Sequence, residues 1–133
     1  MIAVEYRRAK PGEYEAVRFF LGEMGWASRV ADAEGFRHML EQTHRHVVAV
    51  DGQRVVGFAR ALCDDVLNGY ISMVAVAPDY RRQGIGRELI HRLAGDDPHI
   101  TWVLRSGRGT DGFWEKLGFR RSNLAMEKVR IEA

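Results

Sequence analysis

Arg81, Arg82 and Arg87 crowd into one short stretch with Gln83, Gly84, Ile85 and Gly86 between them. Glycines at 84 and 86 leave a backbone that a phosphate can approach directly, and the guanidinium groups beside it would balance the charge. Residues 71–94 read ISMVAVAPDYRRQGIGRELIHRLA. An apolar run turns at Pro78 and Asp79, passes the glycine loop and continues with Ile85, Leu89, Ile90 and Leu93 at helical spacing. Strand, turn, loop and helix in that order aim backbone N–H groups and the positive end of a helix dipole at one spot. A solvated turn with a capping glycine is the competing reading. Against it, cations at a helix N-terminus oppose the dipole by a few tenths to about 1 kcal/mol each, and a bound polyanion would turn that repulsion into attraction.

Two familiar phosphate sites do not fit. A P-loop needs Lys-Ser/Thr after its last glycine to reach phosphate and magnesium, and Arg87-Glu88 stands there instead. The dinucleotide fingerprint needs a third glycine and a later acidic residue, and both are missing. A metal-free pyrophosphate site is what is left.

The elements that would position this loop follow from periodicity and turn residues. Residues 2–7 alternate as a strand and are stopped by Lys10, Pro11 and Gly12. Tyr14, Val17, Phe20, Leu21 and Met24 fall on one face of a first helix ending near Gly25. Ala33, Phe36, Met39 and Leu40 mark a second, with Asp32 as its N-cap. Residues 46–50, 55–62 and 70–76 read as an antiparallel meander, turned at Asp51-Gly52 and again at Asn68-Gly69. The helix after the glycine loop stops at residues 95–98. Residues 100–104 then form a strand parallel to that at 70–76, joined by a crossover. A short helix over about 110–117 ends at Gly118, and residues 124–131 alternate as a final edge strand. The expectation is one α/β domain over residues 1–133, mostly antiparallel with one βαβ unit.

Composition restricts the function classes. With 46% hydrophobic and 29% charged residues, the chain reads as globular. No apolar stretch is long enough for a membrane span, and the charged N-terminus is unlike a secretory signal, so a cytoplasmic location is expected. A single Cys63 leaves no internal disulfide and no cysteine zinc site. His44, His46 and His91 lack metal-ligand spacing, so no metal is expected. A net charge of +2 and the absence of reading motifs argue against a nucleic-acid partner.

The motifs resemble those of the GNAT superfamily of acyl-CoA-dependent N-acetyltransferases. The family's Arg/Gln-x-x-Gly-x-Gly/Ala pattern is matched by Arg81, Gly84 and Gly86, and its Phe-Tyr-x-x-x-Gly-Phe segment resembles FWEKLGF at 113–119. The resemblance implies a mixed, mostly antiparallel twisted sheet of six or seven strands flanked by about four helices, with a central βαβ unit. It implies acetyl-CoA as co-substrate. Arg81, Arg82, Gln83, Gly84, Ile85, Gly86 and Arg87 would cradle the pyrophosphate, and Val74, Ala75 and Val76 would pair with the pantetheine arm through their backbones. The N–H of Val74 or its neighbour would face the thioester carbonyl, suiting direct attack by an amine.

The family commonly uses a tyrosine as acid where this chain has Trp114. An indole N–H donates a hydrogen bond but is no acid near neutral pH, so Trp114 packs either against pantetheine or in the core. The base position of some relatives corresponds to Tyr70, which would act through water. Asp64 and Asp65 are nearby carboxylates, with a solvated loop as their other reading. Ser72 is a candidate relay. Trp26, with Glu23 and Arg29, would wall the amine pocket. The expected activity is acetyl transfer from acetyl-CoA to an amine of a small molecule or protein, by a monomer or homodimer. A non-catalytic acyl-CoA-binding module is the alternative.

Overall fold

Val47, Val48, Val50, Val55 and Val56 are buried, and β-branched residues at this density favour a pleated, enclosed sheet. They lie on β2 (Arg45–Asp51) and β3 (Arg54–Cys63), which pair antiparallel across the tight turn at Gly52. The computed structural model describes residues 3–131. Its sheet has five strands in the order β1-β2-β3-β4-β5, completed by β1 (Val4–Arg7), β4 (Asn68–Val76) and β5 (Thr101–Leu104). Neighbours run antiparallel except β4 and β5, which are parallel as expected of a helical crossover. The helices are α1 (Tyr14–Leu21), α2 (Ala33–Gln42), α3 (Ile85–Ala94) and α4 (Asp111–Lys116). None of them is long and apolar enough to cross a membrane.

Alternation sorts the sheet into two faces. A β-carbon at Gly57 would touch Leu89, Ile85 and Ala49, so Gly57 lies under α3. Arg45 points the same way, donating to the carbonyls of Leu93 and Ala94 at the end of α3 and stacking over Trp102. Phe58 faces away from α3 and stacks on His46 at 6.0 Å between centroids. The backbone N–H of Ala9 donates to His46 Nε2, and Nδ1 lies 3.4 Å from the Thr43 carbonyl, so a neutral ring ties the end of β1 to the end of α2.

That buried ring predicts an acid limb in stability. Burial first, then the Arg8 and Arg60 charges, push the His46 imidazole down to about 4 from an ordinary 6.5. Between those values the unfolded chain binds a proton that the folded chain does not. Stability from this group is therefore complete above about pH 6.5 and falls as pH drops toward 4, by up to about 3 kcal/mol. Urea midpoints measured across this window should show the slope, and His46→Gln should flatten it.

Three sequence expectations change. Asn68 and Gly69 are not a turn but the start of β4. The reversal lies just before them, where Asp64 Oδ1 accepts from the N–H groups of Val66, Leu67 and Asn68 at 2.8–3.0 Å. Gly69 serves packing instead, because it pairs with Trp102 and a β-carbon there would lie under 3.0 Å from three carbons of that ring. The first helix passes at Leu21 into a π-helical turn, Gly22–Trp26, broken by Gly25 at φ 107°. The sheet has five strands rather than six or seven, because residues 124–131 form no strand. Their large apolar members Leu124, Met126, Val129 and Ile131 are 58–96% exposed, so the alternation has no face to bury. The first strand is described from Val4, and Ile2, expected within it, lies outside the described residues.

Candidate active site

β4 is held on both sides only over its first half. It pairs with β5 from Asn68↔Thr101 to Ile71↔Leu104, and among the described residues no strand follows on that side for residues 72–76. On the other side, the register with β3 shifts between Arg60↔Ser72 and Phe58↔Ala75. The additional β4 residue is accommodated at Met73, whose φ of 58° is left-handed and unusual for a non-glycine side chain. Val74, Ala75 and Val76 therefore lie beyond a bulge, on an edge that no further strand covers among the described residues.

The glycine loop continues from that edge. A 3-10 turn, Pro78–Tyr80, leads to Arg81, whose Nε returns to the Val76 carbonyl at 3.1 Å. Gln83 Nε2 reaches the Asp79 carbonyl. The Tyr80 hydroxyl donates to Asp51, and Arg54 stacks over its ring while pairing with Asp79. Arg82 is left-handed at φ 63°, and Gly84, the N-cap of α3, is left-handed at φ 82° with open space where a β-carbon would sit. The first α3 backbone bond is Glu88 N–H to Gly84 carbonyl, which leaves the amides of Ile85, Gly86 and Arg87 without helical partners. Arg82 and Arg87 make no ion pair among the described residues. Two unneutralised cations and three unused amides thus meet where the α3 dipole is positive.

Gly86 has a second reason to lack a side chain. A β-carbon there would come within 3.0–3.1 Å of the Phe113 ring, so α4 rests against the first turn of α3. Trp114 is 8% exposed and edge-on to both Phe113 and Phe119, at 4.9 and 5.3 Å between centroids. Of the two packing alternatives the structure favours the core: Trp114 anchors α4, and Phe113 is the aromatic beside the loop.

The candidate acid–base residues separate. Asp65 pairs with Arg45 and His44, which hold its carboxyl below the usual range and make it a poor proton acceptor. The Asp64 carboxylate is spent on the three loop amides, which lower it likewise. Tyr70 and Ser72 remain together: they pair with Leu62 and Arg60 of β3 and share the face opposite α3, just before the bulge. Trp26 is half-buried against the core, and its carbonyl accepts from the amides of Arg29 and Val30. Glu23 and Phe19 line a shallow hollow with Arg18, Gly22, Ala27 and Val30.

Sequence reasoning missed Arg60, Met73 and Phe113. Arg60 carries a signal in hindsight, as a cation in the middle of an otherwise apolar strand. A left-handed methionine has none.

A family profile described as an acetyltransferase (GNAT) domain matches residues 42–121. Comparison with curated protein sequences finds no match. Among solved structures, a GNAT-family protein from Xanthomonas campestris is 18% identical, with 98% of this chain and 95% of that one covered at a TM-score of 0.77. An acetyltransferase from Trypanosoma brucei is 23% identical over 98% and 100%, at 0.73. A protein from Clostridium acetobutylicum, described as a predicted acetyltransferase and solved with acetyl-CoA, is 15% identical over 96% of both chains, at 0.75. At these identities the structures show a shared fold.

Proposed function

Because the chain belongs to the GNAT acetyltransferase family, we propose that it moves the acetyl group of acetyl-CoA to a primary amine by direct attack within a ternary complex. One observation carries the reading: the open backbone edge after the Met73 bulge runs directly into the unneutralised N-terminus of α3. An adenine nucleotide thioester carries matching parts, an amide-bearing arm beside a pyrophosphate. The residues fit it without a metal. The amides of Ile85, Gly86 and Arg87, with the Arg82 and Arg87 guanidinium groups, bind the pyrophosphate, and Gly84 leaves room for it. Val74, Ala75 and Val76 take the arm as a strand takes a neighbour.

Acetyl-CoA supplies an activated carbonyl, and the protein supplies placement and proton handling. A backbone N–H at or beside Val74 donates to the carbonyl oxygen as it gains charge. Tyr70 and Ser72 orient a water that takes the proton of the amine. A leaving thiol with a pKa of about 8.5 departs tolerably as thiolate, so the buried Trp114 need not act as an acid.

The test is release of free thiol from acetyl-CoA against a panel of polyamines, aminoglycosides, amino acids and lysine peptides. Turnover is expected with at least one class. Tyr70→Phe should lower kcat about 100-fold with acetyl-CoA affinity unchanged, the low end for loss of a group acting in proton transfer. Tight acetyl-CoA binding with no turnover on any amine would leave the protein a binding module.

A further inference from the structure

Arg60 sits mid-strand on β3, half-buried, on the face it shares with Tyr70 and Ser72. Its Nη1 donates to Ser72 Oγ at 3.2 Å, and its Nε is sealed from solvent with no partner. Arg7, Arg18, Arg45, Arg54 and Arg92 each hold a carboxylate, but Arg60 holds none among the described residues. The residue directly across on β2 is His46, which carries no negative charge to compensate it. Its pKa is lowered by burial, which marks a cation the fold does not satisfy. A buried guanidinium with one neutral hydroxyl for a partner destabilises a fold unless something else uses it. It is also badly placed to be a packing residue, since the neighbouring β3 positions are filled by Phe58, Ala59 and Ala61, all fully buried.

The two carboxylates expected to draw a cationic acceptor are already engaged. Asp65 is bound by Arg45 and His44, and Asp64 by its own loop. A cationic acceptor would therefore find neither of these two carboxylates free and, on the face of Tyr70, would meet Arg60 instead. An oxyanion fits. It would complete the guanidinium's hydrogen bonds, and Ser72 sits next to the Met73 bulge where transfer takes place.

We infer that Arg60 and Ser72 receive an oxyanion on the acetyl acceptor, so that the substrate is an amine that also carries a carboxylate or a phosphate. This rests on the acetyl-transfer reading above and narrows it.

The experiment measures equilibrium binding in the presence of CoA for two matched pairs, β-alanine against β-alaninamide and O-phosphoethanolamine against ethanolamine. The wild type should prefer the anionic member of at least one pair about tenfold or more, as expected of a charge-assisted contact, and the pair that responds identifies the oxyanion. Arg60→Met should bring the preference to within about twofold while leaving acetyl-CoA affinity unchanged, and Arg60→Lys should restore part of it. The melting temperature of Arg60→Met should equal or exceed that of the wild type, since no ion pair is broken. Ser72→Ala should weaken the same preference, which keeps the test open if Arg60→Met does not fold. Equal binding of both members of each pair, no measurable binding of any, or a preference that survives in the variants overturns the inference. Anionic preference without thiol release from any amine would remove the acetyl-transfer reading and leave the Arg60 site standing.

Discussion

Gly69→Ala should lower the melting temperature by about 10 °C, the largest stability loss expected from a single methyl group in this protein. The added carbon would lie under 3.0 Å from three ring carbons of Trp102, which is paired directly opposite on β5. Neither partner has an easy escape. Trp102 is also held beneath the Arg45 guanidinium at 5.3 Å, and Gly69 lies in a paired segment of β4. Overpacking of this kind costs about 1–3 kcal/mol, and a domain of this size loses a few degrees per kcal/mol. Thermal unfolding measures the loss. A double variant, Gly69→Ala with Trp102→Leu, should recover much of it, because the smaller ring-free side chain removes the collision. If Gly69→Ala melts with the wild type, the packing of Trp102 across β4 is wrong. The parallel β4–β5 pair is the base from which the open edge of β4 departs, so loosening it should also lower acetyl-CoA affinity.

Charge change at the start of α3 should move stability and donor binding in opposite directions. Arg82 and Arg87 are exposed, unpaired among the described residues and set at the positive end of the helix dipole. Arg82→Asn suits the left-handed backbone at that position, and Arg87→Glu places an acid where the dipole favours one. Together they should raise the melting temperature slightly, by about 1 kcal/mol of relieved repulsion. Acetyl-CoA should bind about 100-fold or more weakly, each lost charge-assisted contact contributing on the order of 1.5–3 kcal/mol. Calorimetric titration with acetyl-CoA beside a thermal melt gives both numbers. Unchanged affinity would take the pyrophosphate away from this loop. Gly84→Val is a less clean probe, because φ 82° strains any branched side chain before a ligand is involved.

Much of the architecture was legible because its signals are local. The meander announced itself by β-branched runs, and Ile85, Leu89, Ile90 and Leu93 fall on the buried stripe of α3 as their spacing requires. Where the reading failed, a local signal had a distant cause. Asn68-Gly69 resembles a hairpin turn, yet the glycine is there for a tryptophan more than thirty residues away. Residues 124–131 alternate, but alternation specifies a strand only where a partner edge and a face to bury exist. The loop proposed to hold the donor could be picked out by its glycines and arginines, since the chemistry assigned to it resides in the backbone of consecutive residues. The acceptor side was not. Asp64 and Asp65 looked available because Arg45 and the loop amides that occupy them cannot be seen in one dimension, and Arg60 gained meaning only once its strand neighbours were known.

The bulge at Met73 makes the proposed donor cleft a matter of counting. One extra residue in β4 offsets everything after it by half a strand period, so Val74, Ala75 and Val76 point and bond as they do because of where they fall in the count. Loss of a single codon there would leave a sequence almost unaltered in composition and exchange the faces of all three. Substitution of their side chains, by contrast, leaves the backbone groups in place. Such a device tolerates wide drift in residue identity and very little in length, which suits a fold shared with structures only 15–23% identical to this chain.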